Sequence, residues 1–162
     1  MGGEKIMLCY REMRKEDLAR WEELAKSEFL EEDFCSASYL RNKWRKIKGW
    51  ILMTPDKEWI GCCFVDSYLH RYNPEGIHFL EYCTFPKFRG QGYAKYLVKL
   101  QFDYAAGVKK SACINPGNDA SIAVLTKYGF RAVAPRKSWM VYLCDADYYP
   151  SELKDLELEQ VS

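Results

Sequence analysis

The chain has 162 residues, 48% of them hydrophobic and 29% charged, with a formal net charge of +1. That length bounds it to one domain with a single sizeable core, and the near-neutral balance argues against a protein that lives on a nucleic-acid backbone, where Lys and Arg are in clear excess. No apolar stretch approaches the length of a membrane span, and the opening MGGEKIMLCYREM lacks a signal-peptide apolar region and cleavage site, so a cytoplasmic protein is expected.

Taken in order, residues 6–11 are a short apolar-polar run that fits a first strand, and Leu18, Trp21, Leu24, Ala25 and Phe29 then recur at helical spacing. Ser36 is an N-cap candidate for a second helix that carries Leu40, Trp44 and Ile47 on one face and stops at Gly49. Residues 50–53 and 59–68 read as a strand pair around the Pro55-Asp56 turn. After a second turn at Asn73-Pro74-Glu75-Gly76, residues 78–84 form the next strand. A helix over about 91–106 then buries Ala94, Leu97, Val98 and Tyr104 and stops at Gly107. A strand over 108–114 breaks at Pro116-Gly117, Asn118 caps a short helix over 120–128, and Gly129 ends it. Two strands, 130–134 and 138–143, close a domain of residues 1–144. Residues 145–162 form an acidic tail, read as either a peripheral helix or loosely ordered.

The seven cysteines (Cys9, Cys35, Cys62, Cys63, Cys83, Cys113 and Cys144) are odd in number and contain no C-x-x-C pair. Most lie in apolar runs, where a reduced cysteine acts as a small hydrophobe. A zinc site from Cys62, Cys63, His70 and His78 matches no common ligand spacing, so no metal is expected. Residues 41–48 (RNKWRKIK) concentrate basic charge. Such a run is most often a solvated face, with a weak docking surface as the alternative.

Residues 83–96 (CTFPKFRGQGYAKY) carry the most chemistry. A strand runs into a glycine-rich turn and then a helix start, where backbone N–H groups have no intrahelical partner and glycine lets an anion come close. Arg89-Gly90-Gln91-Gly92-Tyr93-Ala94 fits Gln/Arg-x-x-Gly-x-Gly/Ala, and it lacks both the Lys-Ser/Thr of a P-loop and a full G-x-G-x-x-G. The turn resembles motif A of the GNAT acetyltransferase superfamily, which holds the pyrophosphate of acetyl-CoA. Asn118-x-x-Ser121 followed by Lys127-Tyr128-Gly129-Phe130 resembles the family's Asn-x-x-Ala…Gly-Phe helix at the family's spacing, and the order of elements over residues 6–143 is the family's order.

The resemblance implies an α/β (α+β) three-layer sandwich, with a mixed central sheet of about seven strands flanked by about four helices. It implies an N-acetyltransferase that moves an acetyl group from acetyl-CoA, as co-substrate, to a primary amine by direct attack. Tyr82, Cys83 and Thr84 would hold the pantetheine arm through their backbone, with the Tyr82 N–H aimed at the thioester oxygen. Arg89, Gly90, Gln91, Gly92, Tyr93, Ala94 and Lys95 would wrap the pyrophosphate, and Asn118 and Ser121 would line the cofactor. Asn118 would be chosen as a helix cap in any case, and Gly92 could serve only the turn.

One departure matters: the family often has a tyrosine four residues before the Gly of Gly-Phe as the acid for the departing thiolate, and Leu125 stands there. Tyr128 or Ser121 could substitute. A base matters more, since freeing an alkylammonium of pKa about 10.4 at neutral pH costs about 4.6 kcal/mol, whereas a thiol of pKa about 8.5 leaves easily. His78 is the candidate: relatives carry a catalytic residue at the matching place, strand alternation puts it on the face of Tyr82 and Thr84, and Glu81 faces away. The acceptor is a small amine or peptide amine, with a monomer or homodimer expected. A non-catalytic acyl-CoA binder, or a modifier of protein or aminoacyl-tRNA, is the alternative. Glu28, Glu31, Glu32 and Asp33 beside Phe29 and Phe34 are either solvated or a cationic-acceptor site. Trp44, Trp59, Tyr68 and Tyr72 either wall the cleft or fill the core.

Overall fold

The computed structural model describes residues 7–26, 37–67 and 76–162. Its strands are β1 (Leu8–Glu12), β2 (Ile47–Met53), β3 (Trp59–Asp66), β4 (Ile77–Thr84), β5 (Lys110–Ile114), β6 (Arg131–Arg136), β7 (Trp139–Cys144) and β8 (Leu158–Gln160). The helices are α1 (Leu18–Lys26), α2 (Ala37–Asn42), α3 (Ala94–Tyr104), α4 (Asp119–Lys127) and α5 (Ser151–Lys154). All eight strands join one sheet in the order β6-β7-β5-β4-β3-β2-β1-β8. The pairs β4/β5 and β1/β8 are parallel and the others antiparallel.

Helices cover both faces, which gives the three layers implied by the resemblance. On one face α1 and α2 bury Leu18, Trp21, Ala37 and Leu40 against Ile51, Cys62, Phe64 and Cys83, with Trp21 edge-on to Phe64 at 5.4 Å. On the other, α3, α4 and α5 bury Leu97, Val98, Phe102, Leu125 and Leu153 against Leu52, Cys63, Val65, Phe79 and Ala112. A ring cluster of Phe79, Phe102 and Phe130, with centroids 5.4 to 6.0 Å apart, ties α3 and the chain after α4 to the sheet. The near-continuous apolar run of β3, buried along its whole length, is what a central strand covered on both sides requires.

Several details differ from the sequence reading. The second helix stops at Asn42, and Ile47 to Gly49 already belong to β2; Gly49 is there because an added Cβ would lie 2.8 Å from the Phe64 ring, not to end a helix. The third helix begins at Ala94, with Gln91 to Tyr93 in the turn before it, and Tyr104 is 45% exposed, resting on Trp50. Pro135 sits inside β6, which is tolerated because β6 is an edge strand. The eighth strand comes from the acidic tail. Leu158 to Gln160 pair parallel with Leu8 to Tyr10, and Leu153 of α5 is fully buried, so the tail is part of the sheet and core.

Candidate active site

The site starts from a gap in the sheet. β4 and β5 are in register only at Ile77 to Phe79 against Lys110 to Ala112, and beyond that the two parallel strands have no further pairing. Leu80 to Thr84 therefore run on with β3 on one side and a parting of the sheet on the other. Strand backbone that faces such a gap can pair with an extended chain laid into it.

A bulge sits at the same place. Phe64 is opposite Glu81 while Val65 is opposite Phe79, so Leu80 is an extra residue in β4. Gln101 of α3, fully buried, holds it: its Nε2 donates to the Phe64 carbonyl at 2.8 Å and to the Glu81 carbonyl at 3.1 Å. The extra residue shifts the alternation, and this corrects the placement of His78. Phe79 and Tyr82 both face α3 and α4, whereas Leu80 and Cys83 face α1 and α2. His78, next to Phe79, lies on the α1/α2 face, opposite Tyr82 and Thr84. Glu81, opposite Phe64, shares that face with His78 instead of turning away from it. No glycine or proline in this strand marks the bulge, so alternation was the only guide the sequence offered.

Three neighbouring strands line up at His78. Asp66 of β3 and Ser111 of β5 are its register partners, and its Nδ1 lies 2.9 Å from the Ser111 Oγ. Asp66 and Ser111 are buried and His78 is half-buried. The hydrogen bond to Ser111 fixes the ring plane. When Ser111 accepts from Nδ1–H, Nε2 keeps its lone pair and can take a proton.

The glycine turn has the form of an anion cradle. Gly90 and Gly92 have φ of +72° and +81°, and an added Cβ at either would meet nothing within 4 Å, so the space above the turn is open. The N–H groups of Gly90 through Lys95 donate to no backbone acceptor among the described residues, and Tyr93 gives α3 no side-chain cap. Arg89 Nε donates to the Thr84 carbonyl at 3.0 Å and Gln91 Nε2 to the Lys87 carbonyl at 3.0 Å, which ties the turn back to the end of β4. Phe88 packs edge-on to Tyr93 at 5.9 Å beneath it. Uncapped N–H groups with an open approach beside cationic Arg89 are the donor set that a diphosphate requires.

α4 supplies the remaining wall. Asn118 Oδ1 accepts from the Ser121 N–H at 3.2 Å, so Asn118 does cap the helix. Leu125, at the position where the family often has tyrosine, is buried in the core. Tyr128 is buried as well, with burial pushing its phenol up. Tyr82 reaches into this layer from β4. Its hydroxyl is buried with no hydrogen-bond partner, which costs about 1–3 kcal/mol. Burial raises its pKa, and the Ser121 hydroxyl beside it, outside hydrogen-bonding geometry, pulls the other way.

Other expected features separate out. Cys62 and Cys63 point to opposite faces of the sheet, so they cannot share a metal, and no metal-binding cluster exists among the described residues. Burial pushes both thiols up. Trp59 is buried under Arg20 and Trp44 packs on the α1/α2 core. Glu28, Phe29, Glu31, Glu32, Asp33, Phe34, Tyr68, His70 and Tyr72 lie outside the described residues. Among the basic residues at 41–48, Lys43 rests on the Tyr39 ring and Lys48 pairs with Glu12 at 2.8 Å.

The model of the acetyltransferase (GNAT) domain matches residues 7–131. The chain belongs to the GNAT family. As a GNAT protein it is an acetyl-CoA-dependent N-acetyltransferase, built on the mixed sheet and helix layers described above. No curated protein sequence gives a significant match. Solved structures similar to this GNAT chain include a chimera of the spermidine N-acetyltransferase SpeG from Vibrio cholerae with hSSAT, at 16% identity and TM-score 0.63 over 85% of this chain and 93% of that one. PaiA N-acetyltransferase from Thermoplasma acidophilum in complex with coenzyme A gives 14% and 0.65 over 86% and 99%. Arabidopsis thaliana NAA60 in complex with acetyl-CoA gives 21% and 0.64 over 85% and 96%. No helix among the described residues is long and apolar enough to cross a membrane.

Proposed function

We propose that the protein transfers an acetyl group from acetyl-CoA directly to a primary amine, with donor and acceptor meeting in the gap between β4 and β5. The observation that carries this is the row of uncapped N–H groups from Gly90 to Lys95, opening at the end of the strand that borders the gap. A diphosphate seated there directs the pantetheine arm along the free edge of β4, where the backbone of Tyr82 and Thr84 pairs with it, while that of Cys83 between them turns to β3. Asn118 and Ser121 form the opposite wall.

The acceptor approaches from the α1/α2 face, where His78 and Glu81 lie. His78, oriented by Ser111, takes the proton that the attacking nitrogen loses, while the Glu81 carboxylate favours a cationic amine on that side. The Tyr82 N–H, just past the bulge, donates to the thioester oxygen as negative charge develops on it. Holding both reactants in one gap supplies much of the rate. The similar solved structure named as a spermidine N-acetyltransferase supports polyamines as the first acceptor class to test, with peptide amines as the second.

The experiment is thiol release from acetyl-CoA in the presence of polyamines, arylalkylamines, amino acids and peptides, with acetylated products read by mass spectrometry. Amine-dependent thiol release with a product heavier by one acetyl group is expected. Tight acetyl-CoA binding without release for any amine would leave a binding module instead.

A further inference from the structure

We propose that Gln101 is a positioning residue for acetyl transfer: its grip on the Glu81 carbonyl fixes, through one rigid peptide, the direction in which the Tyr82 N–H meets the thioester oxygen. The inference rests on the acetyl-CoA reading above. Gln101 Nε2 donates to the Phe64 carbonyl of β3 at 2.8 Å and to the Glu81 carbonyl of β4 at 3.1 Å, so the Glu81 oxygen points to the β3 side of its strand. Where the extra residue of β4 interrupts the ladder, that oxygen needs a donor, and the side-chain amide takes the place of a backbone N–H. The other end of the same planar peptide is the Tyr82 N–H, and the C=O and N–H of a trans unit point opposite ways. A carbonyl held toward β3 therefore sets the Tyr82 N–H toward the gap, where β4 has no pairing with β5.

Gln101 is fully buried, and its Oε1 has no hydrogen-bond partner. An unmet acceptor opposes burial of the amide, and the two donated bonds are what offsets it. Gln101 also lies about two turns along α3 from the helix start that forms the end of the cradle. One helix thus meets the diphosphate with its first N–H groups and the acyl-bearing stretch of β4 with Gln101, which keeps the two ends of the bound cofactor in register. Hydrogen bonds at the two ends of one peptide also strengthen each other. As negative charge develops on the thioester oxygen and draws on the Tyr82 N–H, the Glu81 oxygen becomes a better acceptor for Gln101.

The test reads the carbonyl of bound acetyl-CoA, isotope-labelled at that carbon, by difference infrared spectroscopy without an acceptor amine. In the wild type the carbonyl stretch falls below its value in free acetyl-CoA, as a hydrogen-bonded carbonyl does. In Gln101→Leu that shift is largely lost and kcat falls by about tenfold to a hundredfold, while the affinity for coenzyme A stays close to wild type. Leu153→Ala, a core truncation in α5 that destabilises the fold elsewhere, keeps both the shift and kcat. A second measurement needs no variant. In NMR spectra of the isotope-labelled wild-type chain, acetyl-CoA moves the Tyr82 amide proton and the Gln101 side-chain amide protons downfield together, relative to coenzyme A, which has no acyl oxygen. A Gln101→Leu protein with the wild-type shift and an unchanged kcat, the same losses in Leu153→Ala, or a Tyr82 proton that moves while those of Gln101 stay in place would overturn the inference and leave the transferase reading intact. A wild-type chain that bound no coenzyme A would overturn both.

Discussion

Replacing Gly92 with alanine separates the cradle from the turn that forms it. Gly92 has φ of +81° and Gly107, just beyond α3, has φ of +76°, and at both an added Cβ meets nothing within 4 Å. Alanine at either position thus costs only the left-handed backbone penalty, about 1–2 kcal/mol. For a domain of this size that is a fall in melting temperature of about 2–8 °C. The two variants should melt alike. They should differ in coenzyme A binding, because the methyl at Gly92 enters the space a diphosphate needs, whereas Gly107 is at the far end of α3. Losing one or two charge-assisted hydrogen bonds at about 1.5–3 kcal/mol each weakens binding by about one to four decades. Calorimetric titration with coenzyme A, alongside thermal unfolding of both variants, reads the two effects independently. Equal affinities in Gly92→Ala and Gly107→Ala would refute the assignment of residues 89–95 as the phosphate cradle.

Three further outcomes are expected. His78→Ala lowers acetyl transfer at neutral pH at least tenfold with coenzyme A affinity nearly intact, checked by steady-state kinetics and calorimetry, and an unchanged rate removes His78 from the mechanism. Gln101→Leu strips the bulge carbonyls of Phe64 and Glu81 of their donor, destabilises the fold by about 2–4 kcal/mol in urea unfolding, and lowers kcat more than it raises the coenzyme A dissociation constant. Asp17 is held below its usual carboxylate range, first by the hydrogen bond from Arg11 at 2.7 Å. A depressed folded-state pKa contributes stability above the unfolded value of 3.8, and that stability is lost as pH falls through the folded pKa. Asp17→Asn is thus less stable than wild type at pH 6–7, and the difference closes as the pH drops below about 4, as denaturant midpoints at several pH values would show.

Much of this was legible in the sequence because local signals and global order agree. Gly90 and Gly92 in the turn, Asn118 as a cap with Gly129 at positive φ past the helix, and the alternation of strands with helical spacing each have one favourable local geometry. What escaped was set by packing at a distance. The bulge at Leu80 carries no glycine or proline and depends on Gln101, twenty residues away and unremarkable as a polar residue on a helix; the faces of His78 and Glu81 follow from it. Gly49 looked like a helix stop because its actual reason, the ring of Phe64, comes from another strand. Leu158 to Gln160 are too few to show a strand period, and the edge of β1 that they join is at the other end of the chain.

That last pairing closes a loop of nearly the whole chain, and so carries a larger closure entropy than any other strand pair of the sheet. Its three residues also cover the outer rim of β1, which without them would be a bare template open to another copy of the chain.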